Sequence, residues 1–169
     1  LDANHVVDHL SKAFCGEGQH LYVPAVVSHM QTKRTLMKED SIRQILNAYD
    51  HLDVALVGIG TADNTSSAFR SGYYSEEMKQ QAVRDRVCGD ICMHLFDKEG
   101  RTDCFPYNKQ IVGVNLNKLK KVPYAIGIAN GVRKAEAIRG AIKGGYINVL
   151  VTDAQCGEAL TRLNDELNN

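Results

Sequence analysis

Tyr124-Ala-Ile-Gly-Ile-Ala129-Asn-Gly131-Val-Arg-Lys134-Ala-Glu-Ala-Ile138-Arg-Gly-Ala-Ile-Lys143-Gly-Gly-Tyr-Ile-Asn148-Val-Leu-Val151 is the stretch that decides the fold. Tyr124 to Ala129 is short and apolar, as a buried strand is. Val132 to Lys143 places its apolar residues at helical spacing, and Asn148 to Val151 returns to strand character. Strand, glycine turn, helix, strand is the crossover that joins two parallel strands, and it is right-handed with few exceptions. Ala154 to Leu167 then reads as a closing helix.

Upstream, Val54 to Ile59 is an almost unbroken apolar run, the pattern of a strand buried on both faces of a parallel sheet. These three strands are predicted to be neighbours in one mainly parallel sheet with helices on both faces. About the first fourteen residues form an amphipathic helix through Val6, Val7, Leu10 and Phe14, ended by Gly16-Glu-Gly18. His20 to Val23 is expected to be a short strand stopped by Pro24. Asp40 opens a helix carrying Ile42, Ile45, Leu46 and Tyr49. Residues 60 to 74 form a long polar loop, a length that usually signals function. Ser75-Glu-Glu77 begins a helix running toward Arg84, and Val87 to Phe96 is strand-like. A turn at Asp97–Gly100, a short strand at Ile111–Val114 and a helical turn at Leu116–Leu119 complete the pass.

The chain's 169 residues suffice for one domain with its own core, and 44% hydrophobic content argues against wholesale disorder. Twenty basic and twenty acidic residues cancel, so the basic footprint of a nucleic-acid binder is missing and DNA contact by this chain is not expected. No apolar run is long enough to span a bilayer, and no membrane partner is expected. Five scattered cysteines, an odd number, argue against a disulfide framework and for a reducing cytoplasm. The chain begins at Leu1 rather than at a methionine and is expected to be a fragment or a processed form.

Three segments carry candidate chemistry. Asn130-Gly131-Val-Arg-Lys134 lies between a strand and a helix, where unpaired backbone N–H groups favour anions. Lys134 there either shares an anion with those groups or points to solvent. Gly58-Ile-Gly60, at another strand end, permits close backbone approach, and the hydroxyl-rich loop beyond it ends at Arg70. Arg70 either holds phosphate or hydroxyl groups or is simply exposed. Asp90, between Gly89 and a mostly apolar run, accepts from sugar hydroxyls, acts as a general base, or caps a local turn. Cys88, Cys92, His94 and Cys104 match no common zinc spacing and read as buried small hydrophobes. Neither a metal nor a cofactor is expected.

An ordered series of motifs adds to this reading. It comprises Leu21-Tyr-Val-Pro-Ala25, Asp53-Val-Ala-Leu-Val-Gly-Ile-Gly60, Ser71-Gly-Tyr-Tyr-Ser-Glu-Glu77, Gly89-Asp-Ile-Cys92, Phe96-Asp-x-x-Gly100, Ala129-Asn-Gly-x-x-Lys134-x-x-Ala-Ile138 and Asn148-Val-Leu-Val-Thr-Asp153. In order and spacing it resembles the sugar-binding effector domain of SorC-type bacterial transcriptional regulators, a group that includes the deoxyribonucleoside regulator and the central glycolytic gene regulator. The resemblance covers nearly the whole chain. It departs from the family at Asn130-Gly131, where Gly-Gly is usual, and at His94-Leu95-Phe96, where an arginine usually precedes the Phe-Phe-Asp turn.

The resemblance implies a Rossmann-like α/β three-layer fold, similar to sugar-phosphate isomerases, here lacking its first strand and the phosphate loop that follows. Residues 1–169 would form an N-terminally truncated effector domain without the helix-turn-helix that precedes it in the family. It implies a phosphorylated sugar as partner, DNA only through that absent domain, and a homo-oligomer, dimer or tetramer. Carried over by motif, Arg70, Asp90 and Lys134 would touch the effector, beside Gly58, Gly60 and Gly131. The alternative is a sugar-phosphate isomerase on the same scaffold with Asp90 as general base. Against it, no Asp-His or Glu-His pair stands out in the sequence.

Overall fold

The computed structural model describes residues 3–63, 66–70 and 72–168. Leu1 and Asp2 of the first predicted helix, Asn64 and Thr65 of the loop leading to Arg70, and Ser71 lie outside the described residues.

Helices α1 (Ala3–Ala13), α2 (Met30–Leu36) and α3 (Asp40–Ala48) precede the first strand, β1 (Val54–Thr61). Helices α4 (Ser67–Arg70) and α5 (Glu76–Arg84) follow, then a hairpin of β2 (Gly89–Ile91) and β3 (His94–Phe96). After α6 (Leu116–Leu119) comes the crossover expected from the sequence: β4 (Tyr124–Ile128), a 3₁₀ turn over Val132–Lys134, α7 (Ala135–Lys143), β5 (Val149–Val151) and α8 (Ala154–Asn168). The strands form one sheet in the order β3-β2-β1-β4-β5. Parallel pairing joins β1 to β4, Val54 opposite Tyr124 through Gly58 opposite Ile128, and β4 to β5. The hairpin adds two antiparallel pairings at the other end, so the sheet is mixed, with a parallel centre.

Side chains alternate across a pleated strand. Ala55 and Ile59 of β1, with Ala125 of β4, join a core completed by Ala135, Ile138 and Ala141 of α7 and Cys156 of α8. The i, i+3 spacing of those three α7 residues is what gives the helix its buried stripe. Ile91 and Phe96 of the hairpin belong to the same core. The neighbouring pair Asp90 and Leu95 therefore faces the other way, and there Leu95 packs with Phe69, Tyr74, Ala82 and Phe105. Helices thus lie on both faces, with α7 and α8 on one, and α4 and α5 on the other behind the hairpin. Asn148 adds a polar stitch: its Oδ1 accepts from the Ala125 N–H at 2.9 Å, and its Nδ2 donates to the Pro123 carbonyl at 3.0 Å.

Four local expectations are corrected. His20–Val23 is no strand; beyond it Val26 makes an isolated bridge opposite Ile111, and that bridge is all that forms of the strand expected at Ile111–Val114. Pro24 denies a ladder donor next to these residues. The run from Val87 to Phe96 is two strands, broken by a two-residue turn at Cys92-Met93, both left-handed (φ 49° and 67°). Tyr74 Oη holds that turn by donating to the Met93 carbonyl at 2.6 Å. Helix α2, whose sequence shows no apolar stripe, was not expected.

The fourth correction concerns burial. β1 is covered on one face only. Val54 and Leu56 of β1, Tyr124 and Ile128 of β4, and Val149 and Val151 of β5 are 38–59% exposed. Parallel register places all six on the same side of the sheet. A contiguous apolar surface of this kind promotes association. The protein is therefore expected to self-associate and to bind a hydrophobic dye such as ANS. Leu56→Thr with Ile128→Thr keeps strand propensity while removing apolar area. In sedimentation velocity that double variant should shift to smaller species; an unchanged distribution would place self-association elsewhere.

Candidate functional site

β1 runs into Gly60-Thr61, and the antiparallel start of β2 lies beside it, Gly60 opposite Asp90. The carboxyl ends of β1, β4 and β5 thus share one edge of the sheet with Asp90, the edge at which open α/β sheets bind ligands. Asp90 is buried, and its Oδ1 has no hydrogen-bond partner among the described residues. A Cβ at position 60 would collide with that oxygen, so glycine there lets the carboxyl hold this position. Buried polar atoms are nearly always paired, and an exception calls for an explanation.

Lys134 reaches the same place from the opposite direction. Its Nζ donates to the carbonyl of Ile59 at 2.7 Å, a bond between residues 75 positions apart in sequence. The helix-initiating segment after β4 is thereby tied to the end of β1. Burial drives the Asp90 carboxyl up to about 6, and the Lys134 ammonium pulls it down against that rise. Burial and the Asp90 charge also hold the Cys92 thiol up at about 12 and raise the Tyr74 phenol. These neighbours stay neutral at physiological pH and supply no competing charge.

The remaining predicted residues are less closely gathered. Gly131 has φ 93°, a conformation that favours glycine, and its N–H donates to Asp153 Oδ2 at 2.5 Å. That N–H is already engaged within the protein. Asp153 Oδ1 also accepts from the Cys156 N–H at 2.9 Å, and these backbone donors hold its carboxyl below the usual range. Gly58 lies on the uncovered face of β1, with open space where a Cβ would be. Arg70 is exposed at the end of α4, and no hydrogen bond or ion pair links it to Asp90 or Lys134 among the described residues.

Sequence reasoning passed over Ser66, buried one helical turn before Arg70. Its Oγ is shielded and unpartnered and lies 3.3 Å from the point a Cβ on Gly60 would occupy, beside Asp90 Oδ1. Thr152 Oγ1, just beyond β5, is a third such oxygen. Among the described residues, the buried side-chain oxygens left without partners thus gather at the carboxyl edge. By contrast, a cleft of about 940 Å³ walled by Lys33, Arg101, Lys109, Asn115 and Lys120 contains none of these oxygens and none of Arg70, Asp90 or Lys134. Unpartnered buried polar atoms call for an explanation, which makes the carboxyl edge the candidate site. Cys88 and Cys92 are half-buried thiols whose pKa burial pushes up to about 12, whereas Cys104 is exposed, contrary to the buried reading. No helix among the described residues is long and apolar enough to cross a membrane.

Asp90 has a stability signature. Its folded pKa, about 6, exceeds the ordinary 3.8. The folded state therefore holds the proton longer than the unfolded chain, and Asp90's contribution to stability is lost as pH rises from about 4 through about 6. Two pKa units correspond to at most ~3 kcal/mol. Asp90→Asn should therefore be more stable than wild type in chemical denaturation at pH 8, by up to that amount, with the gain vanishing near pH 4. A variant less stable at both pH values would make Asp90 a structural group.

Comparison with known proteins identifies the family. The profile of the sugar-binding domain family matches residues 1–162. The deoxyribonucleoside regulator of Bacillus subtilis (strain 168) is 33% identical over 150 residues, 89% of this chain and 48% of its own length. The transcriptional regulator LsrR of Escherichia coli O9:H4 (strain HS) is 40% identical over 143 residues, 82% of this chain and 45% of that protein. The full-length sorbitol operon regulator SorC of Klebsiella pneumoniae superposes with a TM-score of 0.85 at 29% identity, covering 95% of this chain and 53% of that one. A sugar-binding domain of a transcriptional repressor from Vibrio fischeri gives 0.87 at 29% identity, covering 98% and 66%. The chain spans about half the length of the curated relatives it matches. It belongs to the sugar-binding domain family of SorC-type transcriptional regulators.

Proposed function

We propose that this domain senses a phosphorylated sugar at the carboxyl edge of its sheet, and that occupancy there modulates DNA binding by the regulator to which it belongs. The carrying observation is Asp90, a buried carboxyl with an unpartnered oxygen, set against Lys134 at the end of β1. Sugar hydroxyls are the donors such a carboxylate lacks. The Lys134 ammonium uses one of its three donors on Ile59 and keeps two for an anionic group. Arg70, exposed and one helical turn from Ser66, would approach the same ligand from α4. Ligand binding shifts a regulator only by its difference in affinity for two states, so the domain needs a second conformation in the assembled protein. A homo-oligomer in a bacterial cytoplasm fits this role, and the uncovered sheet face is a surface through which further protein packs.

One observation favours the isomerase reading: a carboxyl titrating near 6 is suited to general-base chemistry. The acid set against it, the Lys134 ammonium, is tied to the Ile59 carbonyl, which suits holding a ligand better than passing on a proton. Incubation with ribose, fructose and glucosamine phosphates, followed by chromatography, separates the two. Recovery of unchanged sugar supports the sensor; turnover abolished by Asp90→Asn would establish the enzyme.

The site's charges set two further expectations. Charge-assisted contacts contribute roughly 1.5–3 kcal/mol, about one to two decades in affinity. Lys134→Ala should weaken a phosphorylated sugar by that much in calorimetric titration and its unphosphorylated analogue far less. Equal losses would remove the phosphate role. Affinity for either ligand should fall as pH drops below about 6, where Asp90 gains its proton, and Lys134→Ala should move that midpoint upward by removing the ammonium that opposes the rise.

A further inference from the structure

The cleft of about 940 Å³ is lined by neither Asp90 nor Lys134, and its volume suits a small molecule. Its walls are held in place by internal hydrogen bonds. Asn108 grips β3, accepting from the Leu95 N–H and donating to the Leu95 carbonyl at 2.8 Å each, and it also donates to the Thr102 carbonyl at 3.0 Å. Lys33 of α2 donates to the Lys109 carbonyl at 2.9 Å, which ties α2 to the 3₁₀ turn Pro106–Gln110. Lys120 Nζ stands 4.9 Å from the ring centre of Tyr146, a buried side chain whose own hydroxyl donates to the Gly100 carbonyl.

The charges on those walls do not balance. Lys33, Arg101, Lys109, Lys120 and Lys143 face only Glu99 and Asp103. Arg101 is matched by Asp97 at 2.7 Å, and Lys143 by Glu99 at 2.7 Å. Lys33, Lys109 and Lys120 form no ion pair among the described residues. Three lysines thus stand against one carboxylate, Asp103, an excess of two positive charges. His94 adds none, because burial and the Lys33 charge hold its pKa below the ordinary value. The excess is local, since the whole chain carries 20 basic and 20 acidic residues. Lys33 is half-buried, and burial lowers its pKa, so its ammonium is poorly solvated and unmatched while two of its three donors stay free. A concave wall of one sign concentrates the field on whatever enters it.

We propose that this cleft is a second ligand site, separate from the carboxyl edge, that takes a small molecule carrying two or more phosphate or carboxylate groups. Lys33, Lys109 and Lys120 are its anchors. Two anionic groups offset the excess of two charges, and a cleft of this size admits a molecule long enough to set those groups against different walls. The assignment stands apart from the sugar-sensing reading, because none of its residues belongs to the carboxyl edge.

The test is calorimetric titration of pyrophosphate, citrate and inorganic phosphate into the protein near neutral pH at constant ionic strength. Pyrophosphate, citrate or both should bind at a single site per chain, and inorganic phosphate, with one anionic group, about tenfold more weakly or less well still. Lys33→Gln should weaken the polyanion about tenfold, and so should the double variant Lys109→Gln with Lys120→Gln, whose exposed positions leave the fold undisturbed. Asp103→Asn removes the opposing carboxylate and should tighten binding, a gain that a misfolded variant would not give. Lys12→Gln, exposed on α1 and outside the cleft, should bind as wild type does. Preference for pyrophosphate assigns the cleft to phosphorylated compounds and preference for citrate to polycarboxylates; either order supports the site. Failure of both polyanions to bind would overturn the proposal, as would equal affinity for all three probes or a loss in Lys12→Gln as large as in Lys33→Gln. So would binding abolished by Lys134→Ala but retained by the cleft variants, which would place the anion at the carboxyl edge. Failure of sugars to bind at that edge would change none of these readings.

Discussion

The pairing of Gly60 with Asp90 is the constraint on which the site depends. β1 is the hub of the sheet: its length engages β4 in parallel, and its last residues engage the hairpin in the opposite sense. A shift of one residue in the β1–β2 register would turn Asp90 into the α7 core and bring Ile91 to the opposite face, because side chains alternate across a strand. Ile91 and Phe96, buried against α7, hold the register from the apolar side. Leu95, in the second core, holds it from the other. Burial of hydrophobic neighbours thus keeps a carboxyl where it is poorly solvated, and the uncompensated oxygen is the result.

How much of this was legible in the sequence depended on periodicity. The β4–α7–β5 crossover was, because long apolar runs alternate there with a helical stripe. The hairpin was less so: strands of three residues carry no readable period, and the turn between them uses Cys92 and Met93, not the Asn-Gly pair that advertises such a turn. The bare sheet face was illegible for another reason. An apolar run such as Val54–Ile59 states a need for cover, whereas only three-dimensional packing says whether cover is present.

The site divides in the same way. Asp90 could be singled out because a carboxylate between glycine and apolar residues is out of place. Lys134 was noticed for its charge near a helix start, but its bond to Ile59 joins segments whose proximity no local pattern reveals. Ser66 lies in a stretch of small hydroxyl-bearing residues where nothing distinguishes it; only its burial and lack of a partner do so. Gly131 illustrates the reverse case. A glycine turn there was readable, but its left-handed conformation and the engagement of its N–H by Asp153 became visible only with the fold.

That engagement has a mechanical consequence. One Asp153 carboxylate oxygen holds the loop leading to Lys134, while the other holds the first turn of α8. The loop and the helix are therefore two arms clamped at one pivot. Any displacement of Gly131 must either break a charge-assisted bond or carry the start of α8 with it. With α8 extending from Ala154 to Asn168, the longest helix among the described residues, a small rotation at the clamp would sweep a much larger arc at its far end.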